Sequence, residues 1–202
     1  MPILTESEVR ARAQKSISTD RAKRGAFTIR KSEEILREAA ILASVQTGFD
    51  MFLSHSIKDA ELVLGVKGVL EDLGYKPYVD WIDDPSLDRS NVTPQTADVL
   101  RQRMRTSASL FYLTTSNADQ SKWMPWECGY YDGYRAKVAI LPIRSYVTSE
   151  FKGVEYLGLY PYCIKGQDTL GKERLWIHRS SKSYTNYDHW VATPNENVGW
   201  KE

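Results

Sequence analysis

Apolar positions along this chain fall into two alternating rhythms. Phe49–Ser54, Pro77–Trp81, Ser109–Thr114 and Val138–Ile143 are short, mostly apolar runs with the length of buried strands. Between them the spacing turns helical. Leu62, Val66, Val69, Leu70 and Leu73 share one face, and Gly74 suits the position just past a helix end. Thr93 and Pro94 suit the N-cap and first turn of a helix through Val99, Leu100 and Met104. A further helix runs from Trp123 to about Arg135. This order predicts an α/β fold with right-handed βαβ crossovers and a parallel sheet of about five strands, covered by helices on both faces. Glu155–Ile164 is expected to supply the fifth strand, at an edge, and Pro142 to end the ladder of the fourth.

The flanks read differently. Residues 1–47 form a polar prefix, charged and weakly helical from Thr5 to Ser16. An amphipathic helix follows at Lys31–Ala43, with Ile35, Leu36, Ala39, Ala40 and Leu42 on one side. After residue 165 the pattern loosens, and Arg174–His178 and Tyr184–Trp190 read as a small aromatic appendage. The expected organisation is an N-terminal helical extension (1–47), a central domain (48–165) and a C-terminal appendage packed on that domain (166–202).

Charge and composition narrow the function classes. Among 202 residues, 27 basic and 26 acidic side chains give a formal charge of +1, which argues against a general nucleic-acid-binding surface. No apolar run is long enough to cross a bilayer, and the N-terminus lacks a signal-peptide pattern, so a cytoplasmic protein that does not engage membranes is expected. Cys128 and Cys163 are the only cysteines, and His55, His178 and His189 are scattered. No metal-type spacing results, and neither a metal nor a cofactor is expected. Gly65 and Gly68 lie inside a helical pattern and match no nucleotide fingerprint.

Open parallel sheets bind ligands beyond the carboxyl ends of their strands. Those ends carry Ser54-His55-Ser56, Asp80-Trp81 and Thr114-Thr115, while Trp123 and Glu127 arrive one turn apart on the next helix. Hydroxyl, imidazole, carboxylates and indoles suit a ribose and a planar heterocycle. Any pyrophosphate would rest on backbone amides at helix starts. Spacing alone also allows Glu127 to be an ordinary acid in a helix's first turns. Trp126 and Tyr130 are expected to pack, Ser56 to cap a helix in a Ser56–Asp59 capping box, Asp83, Asp84 and Asp88 to be solvated, and Cys128 to be a small buried residue.

Three of these stretches carry a resemblance. Phe49-Asp-Met-Phe-Leu-Ser-His55 resembles the first signature box of Toll/interleukin-1 receptor (TIR) domains. Asp80-Trp81 with its long loop resembles the second-box region, the BB loop. Ser121-Lys-Trp-Met-Pro-Trp-Glu-Cys-Gly-Tyr130 resembles the Trp-x-x-x-Glu helix of TIR domains that cleave NAD. The likeness spans roughly Phe49 to Tyr162, in order and at the right spacing. It implies a flavodoxin-like TIR domain acting as an NAD+ glycohydrolase or ADP-ribosyl cyclase, with NAD+ as substrate.

By position, Glu127 matches the family's catalytic glutamate, Trp123 the aromatic one turn before it, and Ser54, His55 and Asp80, with Trp81 beside it, the ligand cleft. The loop reads Trp81-Ile-Asp-Asp-Pro-Ser-Leu-Asp-Arg89 in place of the receptor-type Arg-Asp…Pro-Gly core, and the Phe-Trp third box has no clear counterpart. The whole is thus more similar to free-standing bacterial TIR proteins of antiphage systems such as Thoeris. Self-association through TIR–TIR contacts and a separate effector that senses the product are what this resemblance further implies. A non-catalytic TIR scaffold and a nucleoside deoxyribosyltransferase on the same sheet are the rival readings.

Overall fold

The computed structural model describes residues 3–25, 48–84, 93–145, 151 and 155–202. The strands are β1 (Leu4–Thr5), β2 (Phe49–Ser54), β3 (Pro77–Tyr78), β4 (Ser107–Thr114), β5 (Val138–Arg144), β6 (Tyr162–Gln167), β7 (Glu173–His178) and β8 (Tyr184–Asn186). The helices are α1 (Glu6–Gly25), α2 (Ala60–Asp72), the single turn α3 (Asp80–Asp83), α4 (Pro94–Arg105), α5 (Trp123–Arg135) and α6 (Tyr187–Ala192). They build one sheet in the order β3-β2-β4-β5-β6-β7-β8, with β1 added beside β5. Pairing is parallel from β3 to β6 and antiparallel from β6 to β8. The expected α/β architecture with a mainly parallel central sheet is what forms.

Strand parity sorts the core into two layers. Met51, Leu53, Phe111 and Leu113 face a cluster with Val9 of α1 and Leu62, Val66 and Leu70 of α2. Phe52, Leu110 and Tyr112 face the opposite cluster, with Leu100 and Met104 of α4 and Met124, Cys128 and Tyr131 of α5. Helix boundaries follow the local chemistry. The Thr93 hydroxyl accepts from the Thr96 amide at 3.1 Å with Pro94 in the first turn, and Gly74 takes φ +91 after α2.

The structure corrects several local expectations. The Pro77–Trp81 strand ends at Tyr78, because the Val79 amide donates to the Asp83 carboxylate at 2.6 Å and turns Asp80 and Trp81 into α3. Pro142 does not end the ladder of β5, since Leu4 and Thr5 of β1 pair with Ile143 and Arg144 beyond it. The fifth parallel strand, β6, is interior rather than an edge, with β7 bonded along its other side. Residues 173–186 continue this sheet, and below it the Tyr187 hydroxyl of α6 donates to the Asp50 carbonyl at 2.7 Å.

The weakly helical prefix becomes α1, seated on α2. A Cβ on Gly65 would lie 1.9 Å from the Val9 carbonyl oxygen, so only glycine permits this approach. Arg12 pairs with Asp72 at 2.6 Å at the rim of that contact. The expected helix at Lys31–Ala43 lies outside the described residues.

Candidate active site

Two side-chain groups meet at the carboxyl ends of β2, β3 and β4. Ser54 is the last residue of β2 and shares the parity of Phe52, so it faces α5. On α5 the buried stripe Met124, Glu127, Cys128 and Tyr131 recurs at helical spacing and turns Glu127 toward the sheet. The Ser54 hydroxyl donates to Glu127 Oε2 at 2.6 Å, and both residues are 0% exposed. Hydrogen bonds to a carboxylate are short and about twice as strong as neutral ones. This one orients the carboxylate in an interior where its field is weakly screened.

The second group lies on the α2 side. His55 Nδ1 is 2.8 Å from the Leu53 carbonyl, which can only accept, so Nδ1 carries a hydrogen. The Trp81 indole donates to His55 Nε2 at 3.2 Å, and Asp80 Oδ1 stands 3.3 Å from the same nitrogen. His55 and Asp80 are 1% and 2% exposed. The imidazole therefore ties the end of β2 to α3. Trp123 is half-buried and meets Trp126 edge-on at 5.4 Å. Ser54 and Glu127 form one buried group and His55 and Asp80, with the half-buried Trp81, an adjoining one, while Trp123 stands one turn from Glu127 on α5.

Other expectations at the rim hold in part. Ser56 caps as expected, its hydroxyl accepting from the Lys58 amide at 3.4 Å at the start of the 3-10 turn Ile57–Asp59 that leads into α2. The reciprocal half of the capping box does not form, because Asp59 makes no cap bond and turns to Thr115 and Asn117. Asp83 and Asp84 are not solvated: Lys67 Nζ lies 3.2 Å from Asp83, and Arg103 grips Asp84 through two bonds of 2.7 Å. Burial raises the Asp83 carboxyl above its ordinary range, and the hydrogen bond to Asp84 raises the Arg103 guanidinium. Asp88 lies outside the described residues. Trp126 and Tyr130 stack at 5.9 Å, with Arg101 of α4 over the Trp126 ring at 5.4 Å, so they pack α5 to α4. Cys128 is free and buried, and burial pushes its thiol up to about 11.

Thr114, placed at the rim by chain order, was not assigned a role in the site. Thr114 ends β4 with the parity of Tyr112 and hence of Ser54. It is 7% exposed, and its hydroxyl has no hydrogen-bond partner among the described residues. Its signal in the sequence was position alone, at the end of the strand beside Ser54's. A cavity of about 490 Å³ lies elsewhere, near the amino end of β5, lined by Val138, Tyr160, Trp190 and Trp200 among others, and none of the candidate site residues borders it. Among the described residues no cluster of three or more His, Cys, Asp or Glu could hold a metal, and no helix is long and apolar enough to cross a membrane.

The mostly parallel central sheet flanked by helices is consistent with the flavodoxin-like fold of a TIR domain. The chain is 50% identical over 145 residues to the probable 3′ cyclic ADP-D-ribose synthase ThsB′ of Bacillus cereus (strain MSX-D12), covering 71% of this chain and 75% of that protein. It is 31% identical over 83 residues to the putative cyclic ADP-D-ribose synthase TIR2 of Cytobacillus dafuensis, covering 41% of this chain and 22% of that one. No protein-family model matches the sequence. The chain belongs to the Thoeris-like family of TIR-domain proteins.

Proposed function

We propose that this protein is an NAD+-cleaving TIR enzyme that breaks the nicotinamide–ribose bond and closes the remaining ADP-ribose into a cyclic signal. The observation that carries the reading is Glu127, wholly buried on α5 and hydrogen-bonded by Ser54 at 2.6 Å. The names of the two relatives support the product class. Departure of neutral nicotinamide with the electron pair of the C–N bond leaves an oxocarbenium-like ribose. A fixed carboxylate stabilises that charge without reorganising. Attack by a ribose hydroxyl of the same molecule forms the new C–O bond and releases a proton, whereas attack by water gives linear ADP-ribose.

Because Glu127 has no exposed surface, entry of NAD+ requires the rim to move before chemistry. In this reading Ser54 orients Glu127, Trp123 walls the site, and His55, Asp80 and Trp81 hold the adjoining rim. Self-association and a separate effector that reads the product complete the proposed antiphage role. The test is purified protein with NAD+, followed by mass spectrometry of the products. Release of nicotinamide with a cyclic ADP-ribose, lost in Glu127→Gln, is the expected result. A Glu127→Gln variant as active as wild type overturns the mechanism, and an inert wild type favours the non-catalytic scaffold.

A further inference from the structure

Asp59 occupies the N-cap of α2, where an aspartate ordinarily bonds the first amides of its own helix and contributes about 1 kcal/mol. Here it makes no such bond. The carboxylate, 5% exposed, reaches across to the loop after β4. It accepts from the Thr115 hydroxyl at 2.6 Å and from the Asn117 side-chain amide at 2.7 Å. Thr115 Oγ1 in turn accepts from the Asn117 amide at 3.1 Å, closing a small ring of hydrogen bonds. Lys58 Nζ donates to Gln120 at the far end of the same loop. The loop then enters α5, where the Ser121 hydroxyl accepts from the Met124 amide at 3.3 Å.

We infer that Asp59 is a positioning residue for Glu127, acting through Thr115 and Asn117. Asp59 follows Ser54 by five residues, and the loop that it grips leads into the helix carrying Glu127. The two partners of the Ser54–Glu127 bond are therefore tied a second time, at the roots of the segments that carry them. A buried, doubly accepting carboxylate is a stiff link, because either donor would be left without a partner if the loop shifted.

This inference rests on the proposed NAD+ cleavage for its activity readout, and its test therefore has a second, activity-independent arm. Asn117→Asp sets two carboxylates against each other. Asp59→Leu keeps the bulk and removes both acceptors. Asp59→Asn combined with Asn117→Asp exchanges donor and acceptor and restores the pairing. At temperatures where all variants are folded, Asn117→Asp and Asp59→Leu are expected to lower kcat by about tenfold or more, with a smaller change in KM, since small misplacements of catalytic groups have effects of that size.

The double exchange is expected to recover most of the wild-type rate. Hydrogen–deuterium exchange should quicken across residues 115–127 in the two single variants and return to normal in the double. Wild-type kcat in folded Asp59→Leu, or single variants with unchanged exchange in 115–127, overturns the inference. If the wild type does not turn over NAD+, the functional reading falls and the exchange arm alone decides the clamp.

Discussion

The hydroxyl of Ser54 donates to the carboxylate of Glu127 across 2.6 Å, although the two are 73 positions apart. β2 ends where it does because Ser54 is the last residue to pair with β4. α5 turns Glu127 inward because its apolar stripe must face the sheet. Removing the hydroxyl removes a hydrogen bond to a charged group, a contribution of about 1.5–3 kcal/mol. Ser54→Ala is expected to lower kcat for NAD+ cleavage by about 10- to 100-fold if that energy orients the carboxylate in the transition state. Steady-state kinetics check it. A change confined to KM would place Ser54 in ground-state binding.

Thr114 calls for the opposite expectation on stability. Its buried hydroxyl lacks a partner among the described residues, and such a group costs about 1–3 kcal/mol. Thr114→Val keeps the shape and is expected to hold or raise the thermal midpoint. A simultaneous rise in KM for NAD+ would identify the hydroxyl as a substrate contact, and an unchanged KM would assign it no part in binding.

The glycines of α2 and α5 should respond in opposite directions. In Gly65→Ala the new methyl meets the Val9 backbone at 1.9 Å, so α1 must lift from α2, with an expected loss of about 1–3 kcal/mol. Gly133 in α5 has open space around its Cβ position, and Gly133→Ala is expected to gain up to about 1 kcal/mol from helix propensity. Urea denaturation of the two variants gives the comparison. Equal effects would remove the close approach as the reason for Gly65.

His178 is expected to make the protein sensitive to mild acid. Its ring stacks between Tyr162 and Tyr184 at 5.3 and 5.2 Å, and burial lowers its pKa below the ordinary 6.5 despite a contact with the Ser180 carbonyl. The unfolded chain therefore binds a proton that the folded chain refuses. Stability from this group is complete above pH 6.5 and declines as pH falls toward the folded value, by up to about 1.4 kcal/mol per pH unit. Denaturant midpoints measured from pH 7.5 to 5 should show this slope, and His178→Phe should flatten it.

Much of the frame was legible in the sequence because it depends on local periodicity. The parallel strands at Phe49–Ser54, Ser107–Thr114 and Val138–Arg144 are apolar enough to be buried on both faces, and Thr93-Pro94 and Gly74 mark helix ends by local geometry. Ser54 and Asp80 could be placed at one rim from expected strand ends, and Glu127 from the helix that follows the strand ending at Thr114. The Asp59 clamp could not, since Ser56-x-x-Asp59 has the spacing of a capping box and only tertiary contact offers Asp59 better donors. Nor could the pairing of Asp84, just past α3, with Arg103 of α4, which lie 19 positions apart.

The sequence by itself determined the alternation of strands and helices from Phe49 to Ile143 and brought Ser54, Asp80 and Glu127 toward the carboxyl ends of the strands, because both follow from side-chain period and chain order. Tertiary structure alone decided that β1 would pair beyond Pro142, that β7 and β8 would extend the sheet, and that His55 would have both ring nitrogens engaged. Those outcomes depend on which backbone groups and side chains remain available once the layers have packed, and the chain's linear pattern does not carry that information.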